Sequence, residues 1–163
     1  MASNQEFYAQ CWAHELPAFV RVLKALPQQE LHYKPHEKNT CAGDLAWQLA
    51  VEQGQLVSLF DTGVINFEPS QRPDSIEGID AEFARASEEV KKRLANIDDA
   101  KWSSPGDFRA GGQSVWAAPV QEIAWGFLFD MVHHRGQLST YIRPMGGKVP
   151  SIYGPSGDDA GQA

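Results

Sequence analysis

The feature that most constrains the fold is a run with helical periodicity over residues 119–146, the longest such run in the chain. The apolar residues that return to one side of a helix with 3.6 residues per turn are Ile123, Phe127, Leu138 and Tyr141. This pattern predicts a long helix with one face buried in a core.

Asp130 and His134 fall on the same predicted face, four residues apart. Burying an acid and a histidine among apolar residues costs solvation free energy unless a partner satisfies them. Two side chains at this spacing project together, which suits holding a metal ion or coupling an acid to a base. They could instead hydrogen-bond each other, or both face a solvated groove. His133 lies about 100° away around the helix, which indicates a position on the rim.

A second predicted helix, over residues 41–61, also has two polar residues within its otherwise apolar face. Gln48 and Glu52 are also four residues apart, so each of two helices offers a polar pair near its middle. The alternatives are that Gln48 is a tolerated boundary residue and that Glu52 is turned to the rim. Asn39 or Thr40 is the expected N-cap of this helix.

Two further helices are predicted, over residues 5–26 and 80–97. Pro17 interrupts the first, so we expect either a kink near His14 or a helix that begins around Leu16. No strand is indicated over residues 62–78, a stretch rich in Gly and Pro, whereas residues 98–119 could form a brief strand or an extended flap.

These elements predict an all-α fold, a four-helix bundle with a long crossover loop and an irregular C-terminal tail. We expect one domain over residues 1–156 and a disordered tail over residues 157–163. In helix bundles, binding sites are formed by side chains on facing helices. The polar side chains expected to face the core and form such a site are Gln48, Glu52, Asp130 and His134.

Composition narrows the functional classes. The net charge is −7 and the 14 Lys and Arg residues are scattered, which argues against nucleic acid as a partner. Only two cysteines occur, and no segment approaches the roughly 18 apolar residues that a membrane span requires. We therefore expect a cytoplasmic protein without membrane contact.

The residues HHRGQLSTYIR, preceded by Asp130, resemble the fourth-helix signature of the DinB/YfiT-like metalloenzymes. The resemblance extends to LAWQLA on the second helix, to YKPHEKNT before it and to the tail RPMGGKVPSIYGPSGD. It implies an up-down-down-up four-helix bundle, a homodimer, and a site of three histidines for a divalent metal such as nickel or zinc. It also implies thiol-dependent transferase or isomerase chemistry with a small thiol.

The sequence departs from that family pattern at the metal site. Gln48 and Asp130 occupy the positions of two family histidines, and only His134 matches. Asp is a ligand for zinc, manganese or iron, whereas Gln is a weak neutral one, so this set implies a harder and weaker site than three imidazoles. Glu52 and His134 are the residues expected to take part in catalysis, with Glu52 as a base or as a partner of a ligand.

Substrate-binding candidates around this site are His36, His133, Arg135 and Tyr141. Arg135 has an alternative interpretation as the partner of an acid on a neighbouring helix. Two functional hypotheses follow. The first is a metal-dependent thiol transferase or hydrolase with a degenerate metal site, and the second is a non-catalytic dimeric bundle that binds a small molecule without metal.

Overall fold

The computed structural model describes residues 2–161 as five α-helices and a three-stranded sheet. The helices are α1 (Asn4–Lys24), α2 (Ala42–Thr62), α3 (Ile76–Leu94), α4 (Asp99–Trp102) and α5 (Val120–Ile142). The strands are β1 (Val64–Phe67), β2 (Pro105–Ala110) and β3 (Gln113–Pro119), and a 3₁₀ turn spans Gln28–Glu30. The prediction of a mostly helical chain is confirmed.

Four long helices enclose the core, with α2 and α1 each packed against both α3 and α5. Contacts at the helix ends give the directions. Asp61 and Arg93 pair near the ends of α2 and α3, so these two helices run the same way. Trp125, near the start of α5, donates to Asn4 at the start of α1, so these two run together as well. Tyr141, at the end of α5, donates to Thr40 just before α2, so α2 and α5 are antiparallel.

Local chemistry explains where several helices begin and end. Ser3 and Glu6 form a reciprocal capping box at the start of α1, and Ser75 accepts a hydrogen bond from the amide of Gly78 at the start of α3. Gly63 ends α2 in the left-handed conformation at φ 81°, which glycine adopts without steric cost. Its carbonyl then accepts from the amide of Asp107, which ties the end of α2 to β2.

The sheet has the order β1-β2-β3, with β1 parallel to β2 and β2 antiparallel to β3. It lies against α5 and the end of α2, and Ile65 is its fully buried residue in β1. The all-α prediction did not include this sheet, and the expectation that residues 62–78 lack a strand is wrong. β1 has four residues, so its pairing with β2, some forty residues later, is a long-range contact that local pattern does not show.

Three other expectations are corrected. Helix α1 does not begin around Leu16, because it starts at Asn4 and continues through Pro17. Pro17 and Ala13 are both exposed, so water can satisfy the carbonyl that proline leaves unpaired. Helix α3 begins four residues before the predicted start, at the Ser75 cap. The cap of α2 is Cys41, without a side-chain hydrogen bond, rather than Asn39 or Thr40.

The C-terminal segment folds back over the ends of α1 and α5. Val149 and Ile152 pack against the core, and Asp158 accepts hydrogen bonds from the Arg143 side chain at 2.8 Å and from the Val149 amide at 3.0 Å. The predicted disordered tail extends to Gln162 and Ala163, which lie outside the described residues. Across residues 2–161, no helix has both the length and the apolar character to cross a membrane.

Candidate metal centre

The polar pair of α2, Gln48 and Glu52, meets the polar pair of α5, Asp130 and His134, between the two helices. The Gln48 side-chain nitrogen donates to Glu52 Oε1 at 2.9 Å and lies 2.7 Å from His134 Nε2. His134 Nε2 is 3.3 Å from Asp130 Oδ2 and 3.7 Å from Glu52 Oε1. The structure therefore brings together all four residues that the sequence proposed as an inward polar set.

The tautomer of His134 follows from its two neighbours. Its Nδ1 lies 3.0 Å from the side-chain oxygen of Gln137, one turn further along α5, which can only accept. With its oxygen at this position, Gln137 favours the tautomer that carries the ring proton on Nδ1, in which Nε2 can accept from Gln48 or bind a metal ion. A histidine ligand whose other nitrogen is held by an acceptor is the usual arrangement in metal sites.

Glu52 is the buried member of the group, with 5% of its side chain exposed. Burial raises its pKa to about 8, and the nearby Asp130 carboxylate adds to that rise, while the hydrogen bond from Gln48 opposes it. Its second oxygen, Oε2, has no hydrogen-bond partner among the described residues. An unpartnered carboxyl oxygen in the interior is costly, and a ligand at this point would satisfy it.

Asp130 departs from the sequence expectation, because 54% of its side chain is exposed. Asp130 lies at the solvent-exposed entrance of the site, whereas Glu52 lies at its buried end. For Asp130, the alternative that the side chain faces a solvated groove therefore agrees with the structure. His134 lies between them and is 14% exposed.

These donors fit a divalent cation. One oxygen each from Glu52 and Asp130 and one ring nitrogen of His134 all lie within 4.8 Å of one another. Ligand atoms of a tetrahedral site with bonds of about 2.1 Å are about 3.4 Å apart, close to the two distances measured from His134. Two carboxylates and one imidazole form a hard donor set, suited to manganese, iron or zinc. Gln48, which was proposed from sequence as a third ligand, turns its amide nitrogen toward His134.

A cavity of about 350 Å³ opens directly above this cluster. Gln48, Glu52 and Asp130 form its polar side. Its apolar side consists largely of aromatic rings, which belong to Phe67 of β1, Phe108 of β2, Trp116 of β3 and Phe127 of α5. Every strand of the sheet thus supplies one ring to the wall of the cavity.

The indole of Trp116 lies across α5 at Gly126, one turn before Asp130. A Cβ atom at position 126 would overlap the far end of this ring, so glycine there lets the indole lie directly against the helix. A second cavity of about 310 Å³ continues the first along α2 and shares Gln48, Val51 and Phe67 with it.

Three of the residues proposed from sequence to bind substrate do not line the cavity above the cluster. His36 is exposed in the loop before α2, where its Nδ1 accepts from the Lys38 amide at 3.2 Å. Tyr141 is buried two turns beyond His134 and accepts from Asn39 at 3.3 Å. His133 is exposed beside His134, with ring centres 5.4 Å apart, in agreement with the predicted rim position.

Arg135, the fourth, has the structural partner that the sequence allowed. It is buried, ion-paired with Glu15 of α1, and its guanidinium donates to the Tyr153 hydroxyl at 2.5 Å. The guanidinium also lies 4.8 Å from the centre of the Phe19 ring. Arg135 faces away from the cavity and holds the C-terminal segment against α1.

Sequence reasoning missed the aromatic wall and Gln137. The aromatic residues are far apart in the chain and come together only through strand pairing, so no local pattern marks them. Gln137 could have been found, because it lies three residues after His134, a spacing that places both on one helix face.

Comparison with known proteins agrees with this fold. Two solved structures are similar, a DinB-like protein from Bacillus cereus ATCC 10987 (TM-score 0.72, 20% identity, 90% of this chain and 95% of that one) and the DinB-like protein YjoA from Bacillus subtilis (TM-score 0.68, 14% identity, 85% and 92%). The uncharacterized protein YrdA of Bacillus subtilis (strain 168) is 24% identical over 98% of this chain and 93% of its own length. The DinB family model matches residues 1–162, so the chain belongs to the DinB family.

Proposed function

We propose that the protein is a metal-dependent enzyme that acts on a small molecule in the aromatic cavity. One observation carries the proposal: Glu52, Asp130 and His134 present three donor atoms within 4.8 Å of one another at the base of that cavity. A cleft with an apolar wall, a few convergent polar groups and a carboxyl of shifted pKa is the usual form of an active site.

In this proposal Glu52 replaces Gln48 as a ligand. Glu52 Oε1 faces His134 Nε2, and as a carboxylate Glu52 is a much better ligand than a neutral amide. Gln48 donates to Glu52 and His134 and so orients both, while Gln137 keeps the ring proton of His134 on Nδ1. Glu52 has a pKa of about 8, so it can also hold or release a proton near neutral pH.

A divalent cation, when bound, would polarise a substrate oxygen or lower the pKa of a thiol. Zinc, manganese, iron and nickel are the ions to test. Hydrolysis and thiol-dependent group transfer are both compatible with this chemistry, and the family resemblance favours the transfer of a group to or from a small thiol. A homodimer and a cytoplasmic location belong to the same proposal.

The test is metal analysis of protein purified without a histidine tag, treated with chelator and dialysed against each of the four ions. We expect one ion per chain, with the affinity reduced at least ~100-fold, or by about 2.7 kcal/mol, in His134→Ala and in Glu52→Gln. Gln48→Ala should retain the ion, because the amide is not a ligand. His133→Ala, next to His134 but outside the cluster, is the matched control.

The rival function is a non-catalytic protein that binds a small molecule without metal. It is favoured by one observation, that Gln48 already donates to Glu52 and lies within hydrogen-bond distance of His134, which leaves much of the cluster satisfied. Absence of binding with all four ions, or unchanged binding in His134→Ala, would overturn the metal-dependent proposal and favour this rival.

A further inference from the structure

The residues that line the aromatic cavity also indicate the charge of its ligand. The walls carry four aromatic rings, and two of these are unusually exposed, Phe67 at 43% and Trp116 at 38%. Large rings left open to solvent around a concave site indicate a ligand that covers them. The rings of Phe67 and Phe108 are 6.5 Å apart at their centres and those of Phe108 and Phe127 are 5.7 Å apart, so they form one continuous surface.

The charges around the same cavity are of one sign. Among the described residues that line it there is no Lys, Arg or His, and the ionisable ones are Glu52 and Asp130. The remaining polar residues, Gln48 and Gln55, are neutral. An anionic ligand would meet the Asp130 carboxylate and no compensating cation on the lining, and the whole chain is acidic as well, with a net charge of −7.

Aromatic faces and carboxylates attract the same kind of group. A cation placed against the face of Trp or Phe is stabilised by the ring quadrupole, and a substituted ammonium group with an apolar shell loses little hydration when it enters such a site. We propose that the cavity binds an organic cation, a substituted amine or quaternary ammonium compound, with its charge against the Trp116, Phe67 and Phe108 rings. This inference rests on the proposed function, because it names the class of substrate for the same site.

The two parts of the site have separate tasks in this arrangement. The rings stand mainly on the three strands, whereas the metal ligands stand on α2 and α5. A divalent cation at the base would offset the charge of Glu52 and Asp130, but the rings would keep their attraction for the ammonium group. The reactive part of the substrate then reaches the cluster while its cationic part remains at the aromatic wall.

The test compares choline with 3,3-dimethylbutan-1-ol, which has the same shape but carbon in place of the charged nitrogen. Both are titrated into chelator-treated protein, and binding is followed by the indole N–H signals of the tryptophans in NMR spectra. We expect choline to bind about tenfold more tightly than the alcohol and to shift the Trp116 signal, which is assigned from its loss in Trp116→Leu. In Trp116→Leu the preference, followed by ligand-observed NMR, should fall to about twofold.

Phe129→Leu is the matched control, since Phe129 is an exposed ring next to Asp130 that does not line the cavity. The preference for choline should be unchanged in this variant, and circular dichroism checks that each variant is folded. Equal affinity for choline and the alcohol, or an equal loss of preference in Phe129→Leu, would overturn the inference. Metal binding without a preference for choline would overturn the substrate class alone, and a preference for choline without metal binding would overturn the metal-dependent function alone.

Discussion

His134 and Arg135 are neighbours in the sequence, yet they belong to two polar regions of opposite character. Arg135 is buried with its charge matched by Glu15, its guanidinium bonded to the Tyr153 hydroxyl and its plane against Phe19. His134 faces a group that includes an unpartnered carboxyl oxygen and opens into a cavity. The first region is complete within the protein and the second is not.

This difference separates a buried charge that stabilises the fold from a buried acid that is available to a ligand. A buried charge with a full set of partners stabilises one arrangement of the chain and leaves nothing for a ligand to bind. A buried acid such as Glu52, whose pKa is raised to about 8 by burial, lowers stability at neutral pH and above, and such a group is usually retained for activity. The following substitutions test this contrast.

The largest expected effect is on the complete region. Arg135→Ala leaves Glu15 largely buried without its counter-charge, and we expect the free energy of unfolding to fall by about 3–5 kcal/mol. Urea denaturation followed by circular dichroism measures it. Arg85→Ala, which breaks an exposed pair with Glu82, is the control and should cost less than about 1 kcal/mol. A similar loss in both variants would contradict the structural role assigned to Arg135.

In the incomplete region, around His134 and Glu52, we expect a substitution to raise the free energy of unfolding. Between about pH 4.5 and pH 8 the Glu52 carboxyl is ionised in the unfolded chain but protonated in the fold, so the folded state binds more protons and stability falls as the pH rises. Glu52→Gln removes this term. In metal-free protein at pH 8 we expect the variant to be about 3 kcal/mol more stable than the parent, a rise in Tm of roughly 10 °C.

Thermal unfolding of both proteins at intervals from pH 5 to pH 9 measures that difference. The gap between them should widen with pH and level off above about pH 8, and Glu122→Gln, an exposed acid on α5, should show no such gap. If Glu52→Gln were less stable than the parent at pH 8, Glu52 would belong to the stabilising class represented by Arg135.

The smallest expected effect concerns the orientation of His134. Gln137→Leu removes the acceptor at Nδ1, so the ring proton can move to Nε2, the atom that faces the cluster. Metal affinity should fall about tenfold, or ~1.4 kcal/mol, with little change in stability. Competition against a chelating dye measures it, with Thr140→Val on the same helix as the control. An unchanged affinity would show that Gln137 does not fix the tautomer.

Much of the helical structure was predictable, because a 3.6-residue period is a local signal. The stripe of α5 and the polar pairs of α2 and α5 could be read directly from spacing, and the structure places Gln48, Glu52, Asp130 and His134 together. Spacing could not tell which side chain faces which neighbour. It did not show that Gln48 presents its nitrogen or that Asp130 stands at the mouth, since both depend on the exact rotation and separation of two helices.

The sheet and the aromatic wall were not predictable in the same way. β1 is short, β2 begins with Pro and Gly, and β3 is largely exposed, so none has the alternation of a half-buried strand. These strands form because they pair with one another and pack on α5, and such contacts are long-range. The uninterrupted α1 has a related cause, since the cost of Pro17 depends on whether its surroundings are wet or dry.

The contact between Gly126 and the Trp116 ring gives the cavity a simple adjustment. A methyl group added at position 126 would overlap the far end of the indole, so the ring would have to shift, although position 126 supplies none of the metal-binding or hydrogen-bonding groups of the cluster. A substitution at this position would therefore change the shape of the aromatic wall without replacing any residue of the cluster beneath it.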